Sequence, residues 1–215
     1  MITVKTFPVN PLGTNCYVAS DNDSKETVII DCGCSAESEW NAIKQYIDSQ
    51  QLKPTHLLCT HLHFDHVWGN AFVKQDFDLN PEASAEDLSL YYNAENMISD
   101  MFGMRMNLPQ MPAVKNYLSN NNEIIIGSTT LKVIATPGHS RGGLCFYSAA
   151  DNVLFAGDSL FNGSVGRTDL EGGNMQQLIE SIRTKLITLP DNTIVYCGHG
   201  PYTFIGDEKL YNPFL

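Results

Sequence analysis

Three histidines and an aspartate fall within six consecutive positions: His61, His63, Asp65 and His66. The chain has six histidines in all, so half of its imidazoles sit in this one stretch. Imidazole nitrogens and carboxylate oxygens are standard ligands for zinc, iron and manganese. The plain alternative is a polar loop of solvated histidines, but scattered histidines rarely cluster so tightly. Three further candidates lie far along the chain: His139 in Thr136-Pro137-Gly138-His139, Asp158 after Gly157, and His199 between Gly198 and Gly200. Taken singly, His139 and His199 read as structural histidines and Asp158 as a cap or turn. Taken with the cluster, all three read as ligands.

The elements that must position these residues are short apolar strands. Runs 56–60, 129–135, 153–156 and 193–197 each end in a polar loop bearing candidates, four after the first run and one after each of the others. Ligands at the carboxyl ends of several strands converge on one sheet edge, where α/β proteins place their sites. The chain opens with three strands, 2–9, 14–18 and 27–31, joined by tight turns that predict antiparallel pairing. Ser35 is the expected cap of a helix reaching about Gln51, with Trp40, Ile43 and Ile47 at helical spacing. Asp65 is expected to open a continuous second helix with Val67, Trp68, Ala71 and Phe72 on its apolar face. Asn80-Pro81-Glu82 breaks the chain, and 85–101 reads as helix. Met101, Met104 and Met106, followed by Pro109 and Pro112, mark 76–120 as either a helical cover over the core or a lid shaping an apolar part of a pocket. Strands 123–126 and 129–135 form a predicted hairpin, 143–147 pairs with 153–156, and Met175 to Leu186 is helical.

A length of 215 residues with 43% apolar composition fits one domain, 1–215, with a sizeable core. The net charge of -11 argues against an electrostatic grip on nucleic acid or an anionic membrane. A local metal site can still outweigh that charge for an anionic substrate. With no basic leader and no run of about 18 apolar residues, a cytoplasmic protein is expected. The six cysteines lie mostly in apolar runs and read as small buried hydrophobes; Cys32-Gly33-Cys34 is the one pair with a possible metal or redox role.

The pattern His-x-His-x-Asp-His, then a distant His, Asp and His, resembles the metallo-β-lactamase superfamily. The resemblance covers almost the whole chain. It includes Thr-Pro-Gly-His-Ser at 136–140, Gly-Asp-Ser-Leu-Phe at 157–161, Gly166-Arg167-Thr168-Asp169, and Gly198-His199-Gly200-Pro201 with Ile205-Gly206 and Asn212-Pro213-Phe214. This ending resembles short bacterial glyoxalase II-type hydrolases. The implied fold is α/β: an αβ/βα four-layer sandwich, two mixed sheets flanked by helices, with a dinuclear metal site. Carried over, His61, His63 and His139 take a first metal, Asp65, His66 and His199 a second, and Asp158 bridges them. The implied cofactors are two divalent ions, zinc first, with iron or manganese also compatible. Asp65 and Asp158 are the implied catalytic carboxylates.

The implied activity is hydrolysis of a thioester such as S-lactoylglutathione by a metal-bridging hydroxide. The partner is then a small-molecule thioester, with oligomeric state left open. Other readings are a mononuclear-iron persulfide dioxygenase, which uses only part of the ligand set, a lactone or ester hydrolase with the same site, and a non-catalytic metal module. Superfamily members that are true β-lactamases typically carry cysteine at the position of Asp158 and are exported. Full-length glyoxalase II enzymes add a C-terminal helical region with basic contacts to glutathione, whereas this sequence ends about 16 residues after His199. Arg141 and Arg167 are the best-placed bases for an acidic substrate tail, each with a structural ion pair as its alternative. Tyr202 and Thr203 are candidate pocket residues. Asp31, Thr60 and Ser140 are candidates for supporting the ligand histidines, with turn, cap or local backbone bonding as their alternatives, and His56 reads as structural.

Overall fold

Short runs rich in valine, isoleucine and aromatic residues dominate the chain, and in the computed structural model they form two six-stranded sheets and a small two-stranded one. Residues 1–103 and 110–215 are described, without the side chains of 100–102; Met104, Met106 and Pro109, with part of the expected 76–120 cover, lie outside the described residues.

In the first sheet β1 (Ile2–Val9), β2 (Thr14–Asp21) and β3 (Glu26–Ile30) are antiparallel. Helix α1 (Glu37–Ser49) crosses to β4 (Lys53–Leu58), which lies parallel to β3. Helices α2 (Phe64–Val67) and α3 (Asn70–Phe77) lead to β5 (Pro81–Ala83), parallel to β4. Helices α4 (Leu88–Tyr92) and α5 (Ala94–Phe102) precede β6 (Asn116–Tyr117), which closes the parallel half.

The second sheet begins with antiparallel β7 (Glu123–Ile126), β8 (Thr129–Ala135), β9 (Leu144–Ser148) and β10 (Val153–Gly157). A small hairpin of β11 (Leu160–Phe161) and β12 (Ser164–Val165) follows. Helix α6 (Met175–Ser181), which widens into a π-type turn over Ile182–Leu186, returns the chain to β13 (Ile194–Cys197), parallel to β10. β14 (Thr203–Phe204) and α7 (Ile205–Tyr211) complete it.

The inward residues of the two sheets form one core. Tyr17, Val28, Ile30 and Leu58 of the first meet Ile124, Ile126, Val133, Phe146 and Phe155 of the second. The alternation along β7, with Ile124 and Ile126 buried and Glu123 and Ile125 exposed, shows how period-2 patterning selects the inner face. Phe155 is fully buried between Tyr17 and Tyr196, at centroid distances of 5.4 and 5.3 Å, so its truncation is expected to cost about 3–5 kcal/mol. Outside the first sheet, Trp40, Ile43 and Ile47 of α1 and Val73 of α3 pack on Val18, Ile29 and Leu57. Outside the second, Leu178, Ile182 and Leu186 pack on Cys145, Leu154 and Val195. Helix, sheet, sheet and helix are the four layers of an αβ/βα sandwich. Among the described residues no helix is long and apolar enough to cross a membrane.

Several boundaries differ from the sequence-based expectation. The N-cap of α1 is Ala36, not Ser35; the Glu39 carboxylate instead reaches back to the N–H groups of Ser35 and Ala36 at 2.8 and 3.3 Å. β4 ends at Leu58, so Cys59 and Thr60 already belong to the ligand loop. The helix expected from Asp65 is two helices. At the break the Gly69 N–H bonds the Cys32 carbonyl at 2.8 Å, and a Cβ there would lie 2.9 Å from the Cys32 sulfur. That close backbone approach turns the chain. Pro81 opens β5, an inner strand between β4 and β6, rather than a break, and 85–101 is divided into a 3₁₀ turn, α4 and α5. Cys32 and Cys34 are free thiols with sulfurs 3.9 Å apart, and all six cysteines are buried and unbridged.

Candidate metal centre

Each candidate ligand is delivered where a strand has just ended. His61, His63, Asp65 and His66 follow β4 and enter α2; His139 follows β8, Asp158 follows β10 and His199 follows β13. Side-chain atoms of three sets come within 4.8 Å of one another: His61, His63 and His139; His61, His66 and Asp158; Asp65, His66 and His199. His63 Nδ1 lies 2.9 Å from His139 Nε2, and His66 Nε2 lies 3.3 Å from His199 Nε2. Asp158 spans the sets. Its Oδ1 is 3.3 Å from His66 Nε2, and its Oδ2 is 3.6 Å from both His139 Nε2 and His199 Nε2. Asp65 Oδ2 is 3.3 Å from His199 Nε2.

The far sides of four rings, those of His61, His66, His139 and His199, are anchored. His66 Nδ1 meets Asp31 Oδ2 at 3.0 Å. Thr60 donates its hydroxyl to the same Asp31 oxygen at 2.7 Å and lies 3.1 Å from His61 Nδ1. His139 Nδ1 donates to the Arg167 carbonyl at 2.7 Å, and His199 Nδ1 to the Leu12 carbonyl at 3.2 Å. Donation from Nδ1 leaves the Nε2 lone pair free to face the cluster, the arrangement that metal-ligating histidines need. Asp31 holds this position with φ of 54°, a left-handed conformation that aspartate tolerates better than most residues.

The electrostatics divide the rings. Burial, reinforced by the neighbouring rings, pushes His61 well below the usual imidazole range, and burial takes His63 down to about 3. Both are therefore neutral, as ligands must be. Burial also opposes charge on His66, but the carboxylates of Asp158, Asp65 and Asp31 overcome it and hold its pKa well above the usual range. Burial would raise Asp65 and Asp158, yet the facing histidines draw both down. A divalent cation would neutralise the same carboxylates and take the ring protons' place.

The residues fit such an ion. His61 Nε2, His63 Nε2 and Asp158 Oδ1 are buried with no hydrogen-bond partner, a costly state unless another group satisfies them. A Cβ on Gly198 would lie 2.0 Å from Asp158 Oδ1 and 2.9 Å from His66 Cε1, so only glycine lets β13 run this close to the ligands. Above the cluster lies a cavity of about 470 Å³ lined by His63, Asp65, His139, Asp158 and His199, together with Leu12, Phe64, Met97, Phe161, Ser164, Val165, Arg167 and Leu170.

The other sequence candidates separate. Arg167 borders this cavity, with its guanidinium paired to Asp169 through two contacts of 2.8 Å. Arg141 faces different cavities and packs its stem against Gly172. The loop turns it away because the adjacent Ser140 hydroxyl and Gly142 N–H are drawn to Asp87, not to a ligand. Tyr202 is 57% exposed, edge-on to Phe204, and does not line the metal cavity; Thr203 is buried against Glu208. His56 pairs with Glu82 at 2.6 Å, away from the cluster.

Sequence reasoning missed several supports. Thr14 donates to Asp65 Oδ2 at 2.9 Å, and Asn10 holds the Asp65 carbonyl at 2.9 Å. Asn15 and Tyr17 reach across from β2 to the Cys197 carbonyl at 3.0 and 2.5 Å, tying the His199 loop to the other sheet. Asp87, only 1% exposed, accepts from Ser140 Oγ at 2.7 Å, Gly142 N at 2.6 Å and Leu62 N at 3.4 Å. It clasps the first ligand loop to the His139 loop. Nothing in Ser84-Ala85-Glu86-Asp87 distinguishes it in sequence from an ordinary helix-start acid.

Comparison with known proteins shows the family. Residues 9–199 match the family model described as the metallo-beta-lactamase superfamily, and the chain belongs to that superfamily. It is 36% identical to the hydroxyacylglutathione hydrolase GloC of Haemophilus influenzae, over 100% of this chain and 98% of that protein. It is 35% identical to the probable metallo-hydrolase YqgX of Bacillus subtilis, over 98% of this chain and 96% of the relative. Among solved structures it is similar to BLEG-1, described as a B3 metallo-beta-lactamase, with 40% identity, a TM-score of 0.88 and 99% of both chains covered. A second, TTHA1623 in a di-iron-bound form, has 34% identity and a TM-score of 0.85, over 98% of this chain and 100% of that one.

Proposed function

We propose that this superfamily metallo-hydrolase cleaves thioesters, with S-lactoylglutathione as the first substrate to test. The observation that carries the reading is Asp158: its two oxygens face both histidine sets at the floor of an open cavity. His61, His63 and His139 would hold one divalent ion, Asp65, His66 and His199 a second, and Asp158 would touch both. Such a pair supplies an activated water and a Lewis acid for a carbonyl oxygen. The chain's own residues contribute rigidity. Asp31 and Thr60 orient His66 and His61, the carbonyls of Arg167 and Leu12 orient His139 and His199, and Thr14 holds Asp65. The apolar walls would cover one side of a bound substrate, while the cavity mouth stays open. Water and thioester give a carboxylate and a thiol.

The GloC relative supports thioester chemistry; zinc and iron both suit the donor set, and the di-iron neighbour favours testing iron. A second reading, opening of a β-lactam amide, is favoured by the likeness to BLEG-1. The test loads the purified protein with zinc or iron and follows S-lactoylglutathione, a β-lactam, and oxygen uptake with a persulfide. Thioester cleavage above the metal-free rate is the expected result. Oxygen consumption, or β-lactam opening, without thioester cleavage would overturn the proposal.

A further inference from the structure

The walls of the metal cavity are apolar. Leu12, Phe64, Met97, Phe161, Val165 and Leu170 face it, and Phe161 stands edge-on to His199 at a centroid distance of 6.4 Å. Apart from the ligands, its polar lining among the described residues is Ser164 and Arg167. Arg167 is already engaged: Nε and one terminal nitrogen both meet the Asp169 carboxylate at 2.8 Å, leaving the pair neutral overall. No lysine lines the cavity among the described residues, and the chain carries a net charge of -11. Glutathione brings two carboxylates and one ammonium, so it carries a net negative charge, and among the described residues these walls offer no uncommitted cation to receive it.

We infer that this cavity selects thioesters whose group beyond the sulfur is uncharged and apolar, in preference to glutathione thioesters. The inference rests on the thioester-hydrolase reading but concerns the walls rather than the metal floor. An apolar group against Leu12 and Phe161 gains from removal of its surface from water, at about 25 cal/mol per Å². A charged group there would lose hydration without gaining a partner.

Two measurements on the metal-loaded chain test it. The first compares kcat/KM for one acyl group carried on glutathione and on 2-phenylethanethiol. The second measures binding of the two free thiols by calorimetry, with metal content determined on the same sample. Both thiols offer the metals the same sulfur, so their difference reports the walls. At least a tenfold advantage for the phenylethyl compound is expected in both measurements. Leu12→Ser should narrow that gap mainly through KM, and because Leu12 is 39% exposed its side chain adds little to folding. Equal or tighter binding of glutathione would overturn the inference, as would a loss of glutathione binding in Arg167→Ala. If neither thioester is cleaved, the hydrolase reading fails, while thiol binding still decides whether the walls select apolar groups.

Discussion

At the floor of the cavity Asp31 holds His66 Nδ1 at 3.0 Å, and the ring's other nitrogen faces Asp158 Oδ1 at 3.3 Å. At the rim the Arg167 guanidinium pairs, among the described residues, with Asp169, two residues away, and the side chain is 58% exposed. The floor is built from residues far apart in sequence and tied across two sheets; the walls are side chains that happen to face the same space. A group supported from several elements keeps its place when one contact is lost. A group supported by its neighbour does not constrain the fold and is free to vary with substrate. On the proposed function the floor would carry the chemistry and the walls the selectivity.

The strongest way to break this contrast is to remove a support of the floor without touching a ligand. Asp31→Asn keeps the left-handed backbone conformation, which asparagine tolerates, but puts an amide where His66 and Thr60 need an anion. Metal affinity or activity should fall by about 10- to 100-fold, measured by competition with a chelator. Wild-type affinity in that variant would mean that the floor is not held from below. Asp87→Asn is expected to act less strongly, because it clasps loops rather than rings. Losing charge-assisted bonds from Ser140 and Gly142 should cost about 1–3 kcal/mol in denaturant unfolding. An unchanged midpoint would remove Asp87 from the account.

The smallest effect belongs to the one histidine outside the site. His56 is half-buried, and its bond to Glu82, acting against burial, raises its pKa above the ordinary 6.5. A raised value means that the protonated pair stabilises the fold below pH 6.5 and that this contribution disappears as pH climbs through the raised value. For a half-buried pair near the surface, screened by solvent on one side, it is roughly 0.5 kcal/mol. Subtracting the unfolding curve of His56→Gln from the wild type should isolate a stability difference that shrinks as pH rises; a difference that grows with pH would reverse the assignment.

The contrast also explains what sequence could and could not reveal. The core strands were legible because alternation and continuous Val/Ile runs report burial directly, as along β7 and β13. The ligand residues stood out because the chemistry needs rare residue types, and four of them lie side by side. The break at Gly69 was not legible: it depends on Cys32 approaching from another loop. Neither were Asp87, Thr14 and Asn10, which are common polar residues made important only by what the fold brings beside them. Arg141 shows the converse. Two residues from His139 in sequence, it is turned into a different cavity because its neighbours bond Asp87.

On the proposed function seven side chains, joined through Asp158, would hold a pair of metal ions. The direct measurement is elemental analysis of metal per chain, after zinc loading and dialysis, for the wild type and Asp158→Ala, with thioester hydrolysis assayed on both. About two ions per wild-type chain and fewer in the variant are expected, with activity lower by about 100-fold or more. An Asp158→Ala protein that kept both metals and full activity would contradict it.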